Sequence, residues 1–277
     1  MKKIPFFKMN GSGNDFIIIN NKEHIVEDNI DIPMEEFVIR VCKRALSIGA
    51  DGLILIESDD EYDFRWRFFN NDGSEVEMCG NGSRCAARFA YLNNLAPLAM
   101  KFRTLAGVIQ AQITGLKTVK VQLTKPKDYK SDISLNGIDY TAHFINTGVP
   151  HVVYFVDDVD SVDVKDVGAK TRYHEYFEPD GTNVNFAEVV DNNTIKIRTY
   201  ERGVEDETLA CGTGSVAAAL IAIMHKKVSS PVSIETKSGN ILKVYAEIDE
   251  ENVKSVFLEG DALLTYIGTM TEEAWEY

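Results

Sequence analysis

Glu75-Val-Glu-Met-Cys79-Gly-Asn-Gly-Ser-Arg-Cys-Ala-Ala87 is answered half a chain later by Glu207-Thr-Leu-Ala-Cys211-Gly-Thr-Gly-Ser-Val-Ala-Ala-Ala219. Both read E-x-x-x-C-G-x-G-S-x-x-A-A, and every shared position is displaced by the same interval. In each copy a cysteine and two glycines precede an alanine-rich run, the composition of a helix buried against close-packed sheet. Such a duplication predicts two similar halves, each strand-rich around one long, small-residue helix.

Working outward from the first copy, residue alternation predicts strands at Ile4–Lys8, Phe16–Asn20, Leu53–Glu57, Phe64–Phe69, Met100–Thr104, Val108–Thr114 and Thr118–Leu123. A glycine-rich turn, Asn10-Gly-Ser-Gly-Asn14, separates the first two. Glu35–Ser47 is expected to form an amphipathic helix ended by Gly49, and Gly80–Leu95 the central helix. Around the second copy, strands are expected at His151–Val156, Asn183–Val190, Thr194–Tyr200, Val232–Thr236, Ile241–Ile248 and Val253–Leu258, with a helix from about Gly212 to Lys226. Lys125-Pro-Lys-Asp-Tyr-Lys130 reads as polar and strand-breaking, at the boundary the repeat implies. The expected fold is α+β with two pseudo-symmetric lobes, residues 1–124 plus 266–277 and residues 125–265.

A chain of 277 residues accommodates two such domains, and 44% hydrophobic with 26% charged residues is the composition of a folded protein. A formal charge of −14 argues against nucleic acid as a partner, which needs clustered cations. The N-terminus lacks an apolar signal segment, and the longest apolar run, Val216–Met224, is too short to span a membrane. We therefore expect a cytoplasmic protein without membrane contact. Cys42, Cys79, Cys85 and Cys211 are too few and too dispersed for a disulfide framework. Cys79 and Cys85 are separated by five intervening residues with no neighbouring His, which does not suit zinc, so no metal is expected. In a reducing compartment all four are free thiols.

Cys79 and Cys211 each stand at the start of a predicted helix. Free amide N–H groups and the helix dipole there favour a thiolate, and are expected to lower a pKa of about 8.5 in free cysteine. The same amides can hold a carboxylate whose charge grows as an α-proton leaves, with glycines permitting close approach. Two thiols acting on opposite faces of one carbon would then invert its configuration without a cofactor. Cys42 and Cys85, inside their helices, read as small buried hydrophobes.

Lys8-Met-Asn-Gly-Ser-Gly-Asn-Asp-Phe16, Phe69-Asn-Asn-Asp-Gly-Ser-Glu-Val76, Met78-Cys-Gly-Asn-Gly-Ser-Arg-Cys85 and Tyr200-Glu-Arg-Gly203 through Cys211-Gly-Thr-Gly214 resemble the diaminopimelate epimerase family in order and spacing over nearly the whole chain. The resemblance implies a cofactor-independent isomerase of LL- and meso-diaminopimelate, serving lysine and peptidoglycan precursor synthesis. It also implies a homodimer, and lobes that are each a β-rich barrel around a central helix with the active site between them. Carried over by position, Cys79 and Cys211 are the acid–base pair. Asn14, Asn70, Gly80, Asn81, Asn183, Glu201, Arg202, Gly212 and Thr213 match substrate-binding positions, His151 and Glu201 match residues that tune the thiols, and Tyr266 matches a dimer contact. An Arg with a carboxylate suits the distal zwitterionic centre of such a substrate.

Three positions depart from the pattern. Val204-Glu-Asp206 makes one loop longer, Val149 stands where many members have Asn, and Gly52 stands where some have Gln. A proline or hydroxyproline racemase is the nearest rival, but members of that group usually carry His at the Asn81 position and lack the Asn70 and Arg202 pattern. A phenazine-type isomerase of the same fold does not require both thiols. A thiol–disulfide redox or binding protein is the alternative of another class.

Overall fold

The computed structural model describes residues 2–277. Among them are seventeen strands and four α-helices in a mixed, strand-dominated α+β fold. The chain divides into two compact units: residues through Val121 together with Gly260–Tyr277, and Gln122–Glu259.

The first unit opens with the antiparallel hairpin β1 (Lys3–Gly11) and β2 (Asn14–Asn20), paired from Phe7↔Ile18 to Gly11↔Asn14. Its two-residue turn puts Ser12 at φ 49° and Gly13 at φ 101°, left-handed values that glycine adopts without strain. After α1 (Met34–Cys42), β3 (Gly52–Glu57) runs parallel to β2 and antiparallel to β4 (Phe64–Asn70). Then come α2 (Gly80–Leu92) and the meander β5 (Ala99–Thr104), β6 (Gly107–Ile113) and β7 (Thr118–Gln122). The last strand of the chain, Leu263–Thr271, returns along β1 from Lys3↔Thr271 to Asn10↔Leu263. Helix α2 packs on β1, β2, β3 and β6, burying Ala86, Ala87, Phe89 and Ala90. Helix α1 covers the opposite side of the strands, where Phe37, Val38 and Val41 join Ile17, Leu53, Leu55 and Trp275 in one core.

Helix α1 is shorter than the expected span to Ser47. Its buried face ends at Cys42; Ala45 turns left-handed at φ 69°, and Leu46, though in phase with the apolar stripe, is exposed. The backbone closes instead by Gly49 N to Val41 O and Ala50 N to Cys42 O.

The second unit begins with β8 (Lys127–Ser134) and β9 (Thr141–Asn146). The stretch expected to break strands thus enters one. Asp128 and Asp132 adopt φ 59° and 55°, and the β8–β9 register shifts twice, so β8 is a bulged, exposed strand whose polar residues face water. Next come β10 (Pro150–Phe155), α3 (Val164–Arg172), the parallel partner of β10, β11 (Asn183–Asp191), and β12 (Thr194–Glu201). Sequence alternation missed β9 and α3; α3 carries a weak apolar stripe and is set by the Asp163 side chain accepting from Asp166 N. A short β13 (Asp206–Thr208) pairs with β12 and precedes α4 (Gly212–Met224), β14 (Val232–Thr236), β15 (Ile241–Asp249) and β16 (Asn252–Asp261). Every residue of α4 from Gly214 to Ala222 is buried, against β9 to β12, β14 and β15. A helix apolar on all sides is stable only when enclosed in this way.

The glutamate that opens each repeat copy has a structural role. Glu75 pairs with Arg67 on β4, and Glu207 takes a two-pronged bond from Arg198 on β12 at 2.7 and 2.9 Å, plus Lys237 at 2.6 Å. Although burial works the other way, these cations hold the Glu207 carboxyl below its usual range. Both bonds tie the segment leading to the cysteine onto the preceding strand. No helix among the described residues is long and apolar enough to cross a membrane.

Candidate active site

In the first unit, Cys79 is the N-cap of α2, with extended backbone (φ −145°, ψ 119°) and its Sγ accepting from Gly82 N at 3.4 Å. It is half-buried, whereas Cys85, further along the same helix, is fully enclosed. Burial pushes both thiols up, Cys85 to about 12; at Cys79 the amides of Gly82 and Asn81 and the Arg84 charge oppose that rise. Cys42 is likewise pushed up to about 12 by burial, which leaves it and Cys85 as inert core groups.

Asn81 and Asn14, matched separately from sequence, meet here. Asn81 Nδ2 donates to Asn14 Oδ1 at 2.8 Å, and Asn14 Nδ2 donates to Asp51 Oδ2 at 3.1 Å. Asn81 Oδ1 accepts from Arg84 at 2.7 Å. Arg84 escaped the sequence reading. It is fully buried, and donates also to Ser12 Oγ (2.8 Å) and Asp261 O (3.1 Å), while Ser12 Oγ donates to Asp261 Oδ1 (2.6 Å). Its position three residues after Asn81 on a helix was the available signal, since i and i+3 share a face. Behind Asn14, Asp15 joins Lys8 and Arg44. Burial disfavours its charge, but the bonds from Arg44 and Lys8 prevail and hold it at about 2. Asn70 ends β4, its backbone N–H bonded to Ser74 O and its carbonyl to Gly73 N in a tight turn. Gly52, opposite Asn70 in the β3–β4 register, has no room for a side chain: a Cβ there would lie 2.5 Å from Phe69 O and 2.7 Å from the Phe68 ring.

In the second unit, Cys211 is the N-cap of α4 and is buried. Its Sγ lies 3.5 Å from Thr213 Oγ1, which lies 2.9 Å from His151 Nε2. Thr147 Oγ1 donates to Thr213 O at 3.0 Å and Ser215 Oγ to Cys211 O at 2.9 Å, fixing this first turn. Burial, then the Glu201 carboxylate, push the Cys211 thiol up to about 11, against the Thr213 hydroxyl and the helix amides. The expectation that helix starts would lower both thiol pKa values is therefore corrected: desolvation outweighs the amides at each site. His151 is fully buried and neutral, held at about 3 by burial and by the Arg202 charge. Burial raises the Glu201 carboxyl, which sits at the end of β12. Asn183 Oδ1 accepts from Arg202 N at 2.9 Å and Asn183 Nδ2 donates to Pro150 O at 2.9 Å. The Arg202 guanidinium donates to Asp180 O at 2.9 Å. The longer loop closes as the β12–β13 hairpin, Glu201↔Asp206, with Gly203 and Glu205 left-handed.

The exposed Tyr266 sits on the last strand, edge-on to Phe6 at 5.9 Å.

Comparison with known proteins adds two kinds of finding. The family model described as diaminopimelate epimerase matches residues 6–128 and 143–264. A diaminopimelate epimerase of Aquifex aeolicus is 47% identical, covering 99% of this chain and 100% of its own; one of Hydrogenobaculum sp. is 49% identical over 96% and 98%. Among solved structures, a phenazine biosynthesis protein of the PhzF family from Bacillus anthracis superposes with a TM-score of 0.72 over 98% of this chain and 100% of that chain. At 16% identity that likeness speaks for the fold alone.

Proposed function

The chain belongs to the diaminopimelate epimerase family, and from that membership we propose that Cys79 and Cys211 are the acid–base pair of its reaction. It is an isomerase that interconverts LL- and meso-diaminopimelate, an activity consistent with lysine biosynthesis. In the proposed mechanism, one sulfur as thiolate takes the α-proton while the other, as thiol, delivers a proton to the opposite face; the reverse reaction exchanges the roles. The observation that carries this reading is that each repeat cysteine caps a helix whose first-turn amides have no backbone partners within the helix. Those amides suit a carboxylate whose charge increases at the transition state. The raised pKa values suit the same chemistry, because a thiolate in a desolvated site is a stronger base than one in water, as a weakly acidic C–H bond requires.

Gly80, Asn81, Gly212 and Thr213, at the two helix starts, are assigned to the carboxylate of the reacting end, Glu201 and Arg202 to the distal amino-acid group, and Asn14, Asn70 and Asn183 to substrate binding. No cofactor enters the scheme. The exposed Tyr266 and Ile267 on the last strand are assigned to a homodimer contact, and the enzyme to the cytoplasm. The deciding experiment follows proton exchange on LL-diaminopimelate in deuterated water without pyridoxal phosphate. Deuterium at the one inverted carbon is expected; no exchange by fully reduced protein, or equal turnover of proline, would overturn the assignment. Cys79→Ala and Cys211→Ala should each abolish epimerisation, whereas Cys42→Ala and Cys85→Ala should not.

A further inference from the structure

Asn185 lies on β11, two residues beyond Asn183, and no part of it reaches solvent. Its amide orientation follows from its partners. Nδ2 lies 2.8 Å from Val152 O, a carbonyl that can only accept, and Oδ1 accepts from Thr199 Oγ1 at 2.9 Å. The flipped amide would set two carbonyl oxygens against each other in a buried site. With Nδ2 so placed, its second hydrogen meets His151 Nδ1 at 3.1 Å. An amide nitrogen donates and does not accept, so Nδ1 must present its lone pair. His151 is neutral, so its one ring proton sits on Nε2. Nε2–H then donates to Thr213 Oγ1 at 2.9 Å, occupying that oxygen as an acceptor. The hydroxyl proton is left free to turn toward Cys211 Sγ at 3.5 Å.

We propose that Asn185, supported by Thr199, is a positioning residue that fixes the Nε2–H tautomer of His151 and thereby aims the Thr213 hydroxyl at Cys211 Sγ as a hydrogen-bond donor. The inference rests on the reading of Cys211 as an acid–base group, and adds how one buried neutral chain biases it. The bond favours thiolate over thiol, opposing burial and the Glu201 carboxylate that face the same sulfur; Arg202 is the charge that faces His151. The first repeat copy has no counterpart. Asn81 stands at the Thr213 position, with Nδ2 given to Asn14 and Oδ1 taken by Arg84. The device therefore distinguishes two otherwise equivalent thiols.

Nitrogen NMR of the reduced, substrate-free protein labelled in its histidine rings reads the tautomer directly. His151 is expected to show an unprotonated Nδ1 and a protonated Nε2, unchanged between about pH 5 and pH 9. A protonated Nδ1, or an imidazolium, in that range overturns the proposal whether or not the enzyme epimerises its substrate. The second arm is Asn185→Asp, which keeps the shape but presents only acceptors to Nδ1. Facing the ionised carboxylate, a neutral ring carries its proton on Nδ1, Nε2 accepts from Thr213, and the hydroxyl turns from the sulfur. In a Cys79→Ser background, the pH midpoint of Cys211 alkylation by iodoacetamide should rise by about one unit, a tenfold loss of thiolate at fixed pH. Thr213→Val should produce the same rise, and the double variant no more than either. Additive shifts, or a shift in Thr213→Val alone, overturn the proposal. Should Asn185→Asp fail to fold, the ring spectrum of the unaltered protein still decides.

Discussion

The glycines at matching places in the two repeat copies, Gly82 and Gly214, answer to different neighbours, and substituting each with alanine should separate them. A Cβ on Gly82 would lie 3.3 Å from Ile54 Cδ1, 3.4 Å from Trp66 and 3.5 Å from Cys79 Cβ, which is tight but close to ordinary contact. A Cβ on Gly214 would lie 2.2 Å from Asn185 Oδ1, so one of them must move by about 1 Å to reach normal van der Waals separation. Asn185 cannot yield cheaply, because the atom struck is the one that accepts from Thr199, and its amide also bonds Val152 and His151. Alanine gains up to about 1 kcal/mol over glycine in a helix. Against that stand overpacking, about 1–3 kcal/mol, and a buried polar group left unpaired, another 1–3 kcal/mol or so. Gly214→Ala should accordingly lose about 3 kcal/mol, while Gly82→Ala should stay within about 1 kcal/mol of the parent. Urea unfolding of the three proteins, with midpoint and slope fitted together, measures the difference. Adding Asn185→Ala to Gly214→Ala should cost less than the sum of the two singles, since it removes the struck atom. Equal stability of the two glycine variants, or strict additivity of that pair, would refute the reasoning.

Arg84→Met should raise the KM for diaminopimelate roughly tenfold, because losing one charge-assisted bond to Asn81 is worth about 1.5 kcal/mol; steady-state kinetics showing an unchanged KM would remove Arg84 from the site. Asp15 titrates at about 2 in the fold against 3.8 for its ordinary value, and its side chain is mostly enclosed. The stability it contributes is therefore complete above about pH 4 and disappears as pH falls through 2, amounting to about 2 kcal/mol before discounting the exposed Arg44 partner. Asp15→Asn should flatten that limb of a stability-against-pH curve; an identical limb in both proteins counts against the Lys8–Asp15–Arg44 cluster. With Cys211 pushed up to about 11, its alkylation in a Cys79→Ser background should keep accelerating with pH beyond the free-cysteine value of about 8.5. A plateau at or below that value would show that the helix amides, not desolvation, dominate there.

What could be read from sequence divides along physical lines. The central helices were legible because burial on every side demands an unbroken run of small and apolar residues, as from Gly214 to Ala222. The caps were legible because Cys-Gly-x-Gly recurs in register. By contrast β8 hid behind polar residues, since an exposed, bulged strand needs no apolar alternation, and α1 lost its last turn where the buried face ran out at Cys42. Around the two caps, the sequence motifs drew attention to the positions that the resemblance names, but not to Asn185 and Thr199, nor to a role for Arg84. A buried Asn or Arg within an apolar run looks like any interrupted pattern until its hydrogen-bond partners are known, and those partners come from distant segments: Val152 and His151 for Asn185, Ser12 and Asp261 for Arg84. The direction of the thiol shifts was also beyond sequence, because it depends on the balance of desolvation against local amides.

That balance bears on how two copies of one motif come to be tuned apart. Both copies keep the cysteine cap, the glycine of the first turn, and a glutamate tied to an arginine on the preceding strand. They differ in what lies directly behind the cap. The first copy backs it with a buried cation, Arg84, acting through Asn81; the second backs it with a neutral histidine acting through a hydroxyl, with the Glu201 carboxylate nearby. A cation behind one helix start favours negative charge on a ligand or sulfur there, whereas the carboxylate near the other disfavours it. The hydroxyl donated to Cys211 offsets part of that penalty, and its direction follows from the tautomer of His151. What sets the two thiols apart is carried by the variable positions of the motif, Asn81 and Arg84 in the first copy and Thr213 in the second, together with His151 and Glu201 from neighbouring strands.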